Sequence, residues 1–319
     1  MTSDAPIVVL AGGTGGAKLA RGMLDADDGR LVVIANPGDD TVQHGGYVSP
    51  DPDLVTFWLA DRIDDRGWGL RDDTFHVMDG LRELGDDVWF NLGDRDLALC
   101  LHRARRLADG DRPTAIAVDV ARALGVPDRA RVLPAADDPV RTMVRADGRW
   151  WPFQEFMIRG GGRDDALPVE GVRFDGADDA TVPPEALDAI ASARAVVIGP
   201  SNPVISIGPM LAIPALRDAL RATPAPVVAV APFVGGEVVK GPTRSFLAWA
   251  GASADAAGVA SLYRDVRLDG MVTDEPATLD VPVHVTSTDL GVASTREAVA
   301  REVLRFCGTV SAPPARSTP

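Results

Sequence analysis

Residues 7–24, IVVLAGGTGGAKLARGML, decide the fold class. An apolar, β-branched run leads into a glycine-rich turn and then into apolar residues at helical spacing, which predicts a strand, a loop and a helix. A second apolar run, LVVIAN at 31–36, begins one helix length later. Because parallel strands need a crossover connection of about this length, the pattern predicts a parallel sheet.

Further apolar runs extend this pattern towards the C-terminus. They are mostly separated by helical patterns and lie at residues 195–199, 227–232, 270–274 and 281–287. Strands that alternate with helices predict an α/β fold with a doubly wound, mostly parallel sheet.

The middle of the chain has a different pattern. Residues 140–158 resemble two strands around an Asp147-Gly148 turn, and residues 169–177 add a third extended segment. We therefore expect one α/β domain over residues 1–308 with a small β-rich insertion at about 130–180. Residues 309–319 are expected to form a disordered tail.

The composition restricts the possible functions. The 319 residues include 32 Lys and Arg against 46 Asp and Glu, a formal net charge of −14. This balance argues against a dedicated nucleic-acid binder, since affinity for phosphate backbones comes from clustered basic residues. No signal peptide is recognisable, and no apolar run approaches the roughly 20 residues of a membrane span. We expect a cytoplasmic protein that binds neither nucleic acid nor membranes.

Several common site types find no support in the sequence. Cys100 and Cys307 are too few and too far apart for a disulfide scaffold or a cysteine-based zinc site, so we expect two buried thiols. The 4 histidines lack the spacing of a metal triad, and no G-x-S-x-G nucleophile elbow is present. A triad hydrolase is therefore not expected.

The glycine-rich turn is the first candidate site. Between strand and helix stand Gly12, Gly13, Thr14, Gly15, Gly16 and Lys18. Glycines let the backbone approach a ligand, and the N–H groups at a helix N-terminus attract a phosphate or carboxylate. Leu19 after the lysine excludes a P-loop, and the spacing differs from a dinucleotide fingerprint. The alternative is a tight turn without a ligand.

A second candidate follows the second strand. Asp39 and Asp40 lie in Asn-Pro-Gly-Asp-Asp, where ligands of open α/β sheets bind, and adjacent carboxylates suit Mg²⁺. A solvated turn is the alternative interpretation. More acids follow in a rigid proline-punctuated loop, with Asp51 and Asp53, and around Arg95, with its neighbours at 94 and 96.

Two later loops complete the candidates. Ser201 and Asn202 lie in Gly-Pro-Ser-Asn-Pro after a strand and offer uncharged donors and acceptors for a polar ligand. Lys240 and Gly241 lie in the loop 234–242, where one of few lysines suggests a phosphate contact. A turn into the next helix and an ordinary surface lysine are the alternatives.

Taken in order, the motifs resemble those of the 2-phospho-L-lactate transferase family, which makes the deazaflavin coenzyme F-420. The matching segments, from residue 10 to residue 242, are LAGGTGGAKLARG, ANPGDD, SPDPDLVTFWLAD, DDTF, LGDRDLALCLHR, LPAADDPVRT, IGPSNPVISIGPML and GGEVVKGP. The remaining C-terminal part adds sheet and helix patterns only. Pro37 departs from the family pattern, which more usually has Thr or another small residue.

The resemblance implies a Rossmann-like, magnesium-dependent homodimer. It would transfer a phosphoenolpyruvyl or 2-phospho-L-lactyl group from a guanosine diphosphate conjugate to the ribityl hydroxyl of a deazaflavin alcohol, releasing GMP. Asp53 and Arg95 match acceptor-binding positions, whereas the glycine loop, the GPSNP loop and the KGP segment match the surroundings of the donor. Asp39, Asp40 and Asp53 are the expected Mg²⁺ ligands, and one of them is a possible general base for the hydroxyl.

Electrostatics agrees with that chemistry. In a chain of net charge −14, a diphosphate needs Mg²⁺, helix N-termini and fixed cations such as Lys18, Arg95, Arg141 and Lys240. Catalytic roles are expected for Asp39, Asp53 and Arg95.

Two other functions stay open. A non-enzymatic nucleotide-sugar or dinucleotide sensor of the gluconeogenesis-factor type shares the glycine loop, although it needs no acceptor pocket. An NAD-dependent dehydrogenase would carry an acid at the end of the second strand, where Asn36 and Pro37 stand instead.

Overall fold

The computed structural model describes residues 4–160, 167–238 and 241–310. The strands, in chain order, are β1 (Ile7–Ala11), β2 (Leu31–Ala35), β3 (Thr41–Gln43), β4 (Gly46–Val48), β5 (Ala130–Pro134), β6 (Arg141–Ala146), β7 (Arg149–Pro152), β8 (Gly171–Asp175), β9 (Ala195–Ile198), β10 (Val227–Val230), β11 (Phe233–Val234), β12 (Glu237–Val238), β13 (Gly270–Thr273) and β14 (Val283–Val285).

The helices are α1 (Gly13–Ala26), α2 (Pro50–Leu59), α3 (His76–Glu83), α4 (Asp94–Ala108), α5 (Pro113–Leu124), α6 (Phe153–Arg159), α7 (Pro184–Ala191), α8 (Gly208–Ala212), α9 (Pro214–Ala222), α10 (Thr243–Trp249), α11 (Ala256–Leu262) and α12 (Ala293–Cys307). None of these described helices combines the length and apolar character that a membrane-spanning helix needs.

The central sheet positions the candidate site. Its seven strands within the described ranges run in the order β14-β13-β10-β9-β1-β2-β5, and every neighbouring pair is parallel. The order reverses between β1 and β9, and ligands of doubly wound sheets bind outside the carboxyl ends of the strands at such a point. The predicted α/β, Rossmann-like, doubly wound sheet is confirmed.

The continuous apolar runs are explained by burial on both faces of the sheet. In β1, Val8 and Leu10 pack on one face, whereas Ile7, Val9 and Ala11 pack on the other. The first face is covered mainly by α7, α9 and α11, and the second by α1 and α12. Both cysteines are buried and unpaired, as expected.

The β-rich insertion is an antiparallel sheet in the order β7-β6-β8. Asp147 and Gly148 link β6 to β7 with φ angles of 51° and 69°, the left-handed conformations that a two-residue hairpin turn requires. The predicted boundary at residue 130 is wrong, because β5 pairs with β2 in the central sheet. A strand buried on both faces has no period that distinguishes it from neighbouring extended segments. Residues 161–166 of the insertion lie outside the description.

The proline-punctuated segment at 49–53 is a second correction, because it begins a helix rather than forming a loop. Pro50 is the first residue of α2 and Pro52 the third. The first N–H groups of a helix have no intrahelical acceptor, so prolines there lose no hydrogen bond. The N–H of Asp53 makes the first helical bond, to the Ser49 carbonyl at 3.0 Å. The side chains of Asp51 and Asp53 therefore both project from the rigid first turn of α2.

Only part of the predicted tail is described. The N–H groups of Thr309 and Val310 both donate to the Phe306 carbonyl, so these two residues continue the last turn of α12. Residues 311–319 lie outside the described ranges.

Candidate active site

The glycine loop lies at the reversal point, between the ends of β1 and β9. Gly13 has a φ of 63°, which favours glycine. A Cβ on Gly15 would lie 2.0 Å from the Pro200 carbonyl oxygen, and the Gly16 N–H donates to Ser201 Oγ at 3.1 Å. The close contact between the glycine loop and the loop at Pro200 therefore requires glycine at positions 15 and 16. Gly13 instead lines the cavity described next.

A cavity of about 480 Å³, here called the glycine-loop cavity, opens in front of this contact. Its other walls come from residues 231–234, 288–291 and α6. The predicted donor-site residues that line it are Gly12, Gly13, Thr14, Gly15, Lys18, Ser201, Asn202 and Gly241. Lys240 lies outside the described residues. Asn202 also has a local role, because its Oδ1 accepts the Val204 N–H at 2.9 Å.

Two buried carboxylates meet beside the glycine loop. Asn36 Nδ2 donates to Asp39 Oδ1 at 3.1 Å and to Asp51 Oδ2 at 2.9 Å. The Gly13 N–H donates to Asp51 Oδ1 at 2.7 Å, and Gln154 Nε2 donates to Asp39 Oδ2 at 3.4 Å. None of these three donor groups carries a formal charge. Asp39 and Asp51, with Asn36 between them, are called the junction pair below.

Burial changes the protonation of the junction pair. It raises the pKa of Asp51 to about 6. Burial and then the charge of Asp51 raise the pKa of Asp39 well above its usual value. Carboxylates that titrate this high in a crevice are typical of sites that bind a cation or transfer a proton.

A second cavity, of about 420 Å³, lies on the other side of the junction pair. Its wall carries aromatic side chains and also the acids Asp51, Asp53 and Asp96, and we call it the aromatic cavity. The aromatic residues are Phe57, Trp68, Trp89 and Phe90. Gln154 connects the two spaces, because it lines the aromatic cavity and donates to Asp39, which lines the glycine-loop cavity.

Asp40 and Asp53 face a third cavity, of about 350 Å³, between α2, α4 and α5. Asp53 forms a buried salt bridge with Arg103. Asp40 accepts from Ser49 Oγ at 2.7 Å and from the Tyr47 hydroxyl at 3.1 Å, and burial raises its pKa to about 7. The expected metal ligands Asp39, Asp40 and Asp53 are therefore divided between cavities, and Asp51 takes the place beside Asp39.

Arg95, expected to bind the acceptor, lies at the surface. Its side chain is exposed in the first turn of α4, its N–H donates to Asp73 Oδ1 at 2.9 Å, and it lines none of the three cavities. Arg103, two helical turns later, is buried instead. Residues 96, 100 and 103 recur at helical spacing, so they lie on one face of α4. This spacing is the sequence signal that points to Arg103.

Other functional candidates were also missed. No motif in the sequence assigns a site role to Asn36, Tyr47, Gln154, Trp68 or Trp89 individually. Arg141, which was expected to offset the charge of the diphosphate, lies close to Asp40, and its Nη2 donates to the Tyr47 hydroxyl at 2.9 Å.

Comparisons with known proteins address the family. The family described as 2-phospho-L-lactate transferase CofD matches residues 7–294. A 2-phospho-L-lactate transferase from Methanopyrus kandleri is 40% identical over 310 residues, covering 94% of this chain and 97% of that protein. A phosphoenolpyruvate transferase from Kitasatospora aureofaciens is 40% identical over 278 residues, covering 84% of each.

A solved structure has the same fold. A member of the UPF0052 family from Bacillus halodurans matches with a TM-score of 0.60 at 16% identity, over 94% of this chain and 99% of that chain. The resemblance drawn from the motifs is confirmed by the family match and by two relatives of 40% identity. This chain, a transferase, belongs to the CofD family of 2-phospho-L-lactate transferases.

Proposed function

We propose that the protein transfers a phosphoenolpyruvyl or 2-phospho-L-lactyl group from a guanosine diphosphate conjugate to 7,8-didemethyl-8-hydroxy-5-deazariboflavin. The ribityl hydroxyl of this deazaflavin alcohol attacks the phosphorus that carries the enolpyruvyl or lactyl group, the P–O bond to GMP breaks, and GMP leaves. The observation that carries the proposal is the meeting of two unlike cavities at the junction pair. A transferase needs two substrate sites that share one wall.

The glycine-loop cavity suits the donor diphosphate. The first residues of α1 line it, and Lys18 lines the same wall. Helix N-termini and lysines both stabilise phosphate charge. In a chain of net charge −14, such local donors offset the repulsion that a diphosphate would meet elsewhere.

The aromatic cavity suits the deazaflavin ring. Trp68 is 40% exposed, so part of its ring is available for stacking against a planar ligand. Asp53, expected to bind the acceptor, lines the same cavity, and Arg103 holds its carboxylate there. Arg95 was also expected to bind the acceptor; its exposed position gives that role no support.

The residues of the junction pair fit Mg²⁺. No arginine of the described ranges forms a salt bridge with Asp39 or Asp51, and both carboxylates are buried. Mg²⁺ is typically bound by one or two carboxylates together with substrate phosphates. Asp39, on the donor side, would hold the ion, which when bound neutralises charge on the diphosphate and on the departing GMP.

The junction pair also offers a place for the proton of the attacking hydroxyl. Asp51 lines the aromatic cavity, and its raised pKa of about 6 matches a group that accepts a proton near neutral pH. Asn36 orients Asp51 Oδ2, and the Gly13 N–H orients Oδ1. We assign Asp51 to proton acceptance and Asp39 to the cation.

The aromatic cavity also favours a transferase over a regulatory nucleotide sensor, which would need no second substrate site. The direct test is mass spectrometry of the products formed from deazaflavin alcohol, Mg²⁺ and each donor in turn. We expect the acceptor phosphodiester that carries the enolpyruvyl or lactyl group, and GMP in equal amount, with at least one donor. Asp51→Asn should abolish turnover, whereas Asp128→Asn, which changes an exposed carboxylate, should not. Absence of acceptor product with every donor would refute the proposal.

A further inference from the structure

We propose that Asp53, Asp96 and Cys100 form a binding site for one zinc-like divalent cation, separate from the junction pair. Asp53 projects from the first turn of α2, and Asp96 and Cys100 project from α4. One carboxylate oxygen of each aspartate and the Cys100 Sγ all lie within 4.8 Å of one another. No other group of three such ligands was found among the described residues.

Helix geometry explains why the three side chains meet. Asp96 and Cys100 are four residues apart, so they lie on the same face of α4, one turn above the other. That face packs against β4 and lies beside α2, where Asp53 points inward from a turn fixed by two prolines. Three ligands on two rigid helices form a preorganised site.

An oxygen without a hydrogen-bond donor points to a missing positive group. Asp53 is 5% exposed, and its Oδ2 atom is buried with no hydrogen-bond partner in the described structure. The Asp96 side chain is 9% exposed and lines the aromatic cavity beside it. A buried carboxylate oxygen without a partner is strongly destabilising, so such an oxygen is normally paired or bound to a metal.

The charges balance with a divalent ion. Arg103 already occupies Asp53 Oδ1, and its Nη1 is fixed by the Tyr47 carbonyl at 2.9 Å. Two carboxylates and one thiolate carry three negative charges, Arg103 carries one positive charge, and a divalent cation completes neutrality. Binding would release the thiol proton to solvent, because a coordinating thiol is deprotonated by the ion.

The ligand types select the metal. A thiolate with two carboxylates suits Zn²⁺ or Co²⁺, whereas Mg²⁺ prefers oxygen ligands alone. Bond lengths of about 2.0–2.3 Å place tetrahedral ligand atoms about 3.5 Å apart, so small side-chain rotations would close this site. The cysteine content excluded a zinc site built from cysteines, and here carboxylates supply the other ligands.

A metal ion held by these three ligands would have its fourth coordination position open to solvent. Asp53 and Asp96 both line the aromatic cavity, so an ion between them would present its open coordination position to that cavity. Three protein ligands and one exchangeable position are the pattern of zinc sites that also bind water or substrate.

Cobalt titration of the metal-free full-length protein tests the proposal. We expect a thiolate-to-cobalt charge-transfer band in the near ultraviolet that saturates at one equivalent, with release of one proton, and that added Zn²⁺ removes. Cys100→Ser should abolish the band, whereas Cys307→Ser, at the other buried cysteine, should keep it. Asp96→Asn should weaken cobalt binding at least about 10-fold.

The absence of a band in the wild-type protein, or its persistence in Cys100→Ser, would overturn the assignment. Circular dichroism verifies that each variant is folded. If Cys100→Ser does not fold, proton release by the wild-type protein and the affinity of Asp96→Asn decide the question. Transferase turnover with Mg²⁺ alone is measured separately, so failure here leaves the proposed function unaffected.

Discussion

Replacing Arg103 with Met should destabilise the fold strongly, because Arg103 is the buried partner of Asp53. Both side chains are 7% exposed, and Arg103 also donates to the Tyr47 carbonyl at 2.9 Å. Removing one member of a buried ion pair typically costs about 3–5 kcal/mol, since the remaining charge keeps its desolvation penalty. We expect a loss of this size in the free energy of unfolding, which is roughly 6–10 °C in melting temperature for a domain of this length.

The pH dependence of the defect identifies its cause. Burial raises the pKa of Asp53, and the Arg103 charge opposes that rise. Without Arg103 the folded-state pKa moves further above the unfolded value. The folded state then loses stability as the pH rises through the folded pKa, so the defect should be larger at pH 8 than at pH 5.

Thermal and urea unfolding of the wild-type protein and Arg103→Met, each followed by circular dichroism at both pH values, provide the assay. Arg105→Met, which removes an exposed arginine of the same helix, is the matched control and should unfold close to the wild type. Adding Asp53→Leu to Arg103→Met should recover part of the loss, since no unpaired buried carboxylate then remains. A defect under about 1 kcal/mol, or one independent of pH, would refute the reasoning.

Three further predictions follow from the cavities and the junction pair. Without divalent ions the melting temperature should fall as the pH rises from about 4 to about 8, because burial raises the pKa of Asp40 to about 7 and that of Asp51 to about 6. Mg²⁺ should reduce this dependence of the melting temperature on pH. A melting temperature that does not change with pH in EDTA would contradict the prediction. Asp39→Asn should lower kcat by on the order of 100-fold or more and weaken the Mg²⁺ dependence of turnover, whereas a change of only a few-fold would identify a turn residue. Trp89→Ala should raise the KM for the deazaflavin alcohol with calorimetric GDP affinity unchanged, and an equal loss for both ligands would indicate a folding defect instead.

The sequence predicts the sheet well because most of its strands are short apolar runs buried on both faces. Residues 7–11 and 31–35 are apolar throughout, and the glycines between them leave few alternatives to a strand-loop-helix unit. The sequence does not predict the helix at Pro50, because closely spaced prolines are typical of loops even though the first turn of a helix tolerates them.

The site was predicted only in its local parts. The glycine loop and the loop at Ser201 are each contained in a few residues, so their patterns can be recognised. By contrast, the pairing of Asp53 with Arg103 spans 50 residues, and that of Asp39 with Gln154 spans 115. Such contacts leave no periodic pattern in the sequence, because they arise from tertiary packing.

The sequence does not predict the aromatic cavity either. Trp68 and Trp89 lie in segments without regular helix or strand, where neither a period of 2 nor of 3.6 residues indicates which way a side chain points. Their convergence with Phe57 depends on how α2 packs against the loops before α4.

The central claim is that donor and acceptor occupy the glycine-loop and aromatic cavities and meet at the junction pair. A crystal structure of the protein with GDP, Mg²⁺ and deazaflavin alcohol tests it most directly. The account predicts the diphosphate against the N–H groups of the glycine loop, the ring beside Trp68 and Trp89, and the terminal ribityl oxygen within about 3.5 Å of the Asp51 carboxylate. A ring bound in the third cavity, beside Tyr47 and Leu107, with its ribityl chain directed away from Asp51, would contradict the claim.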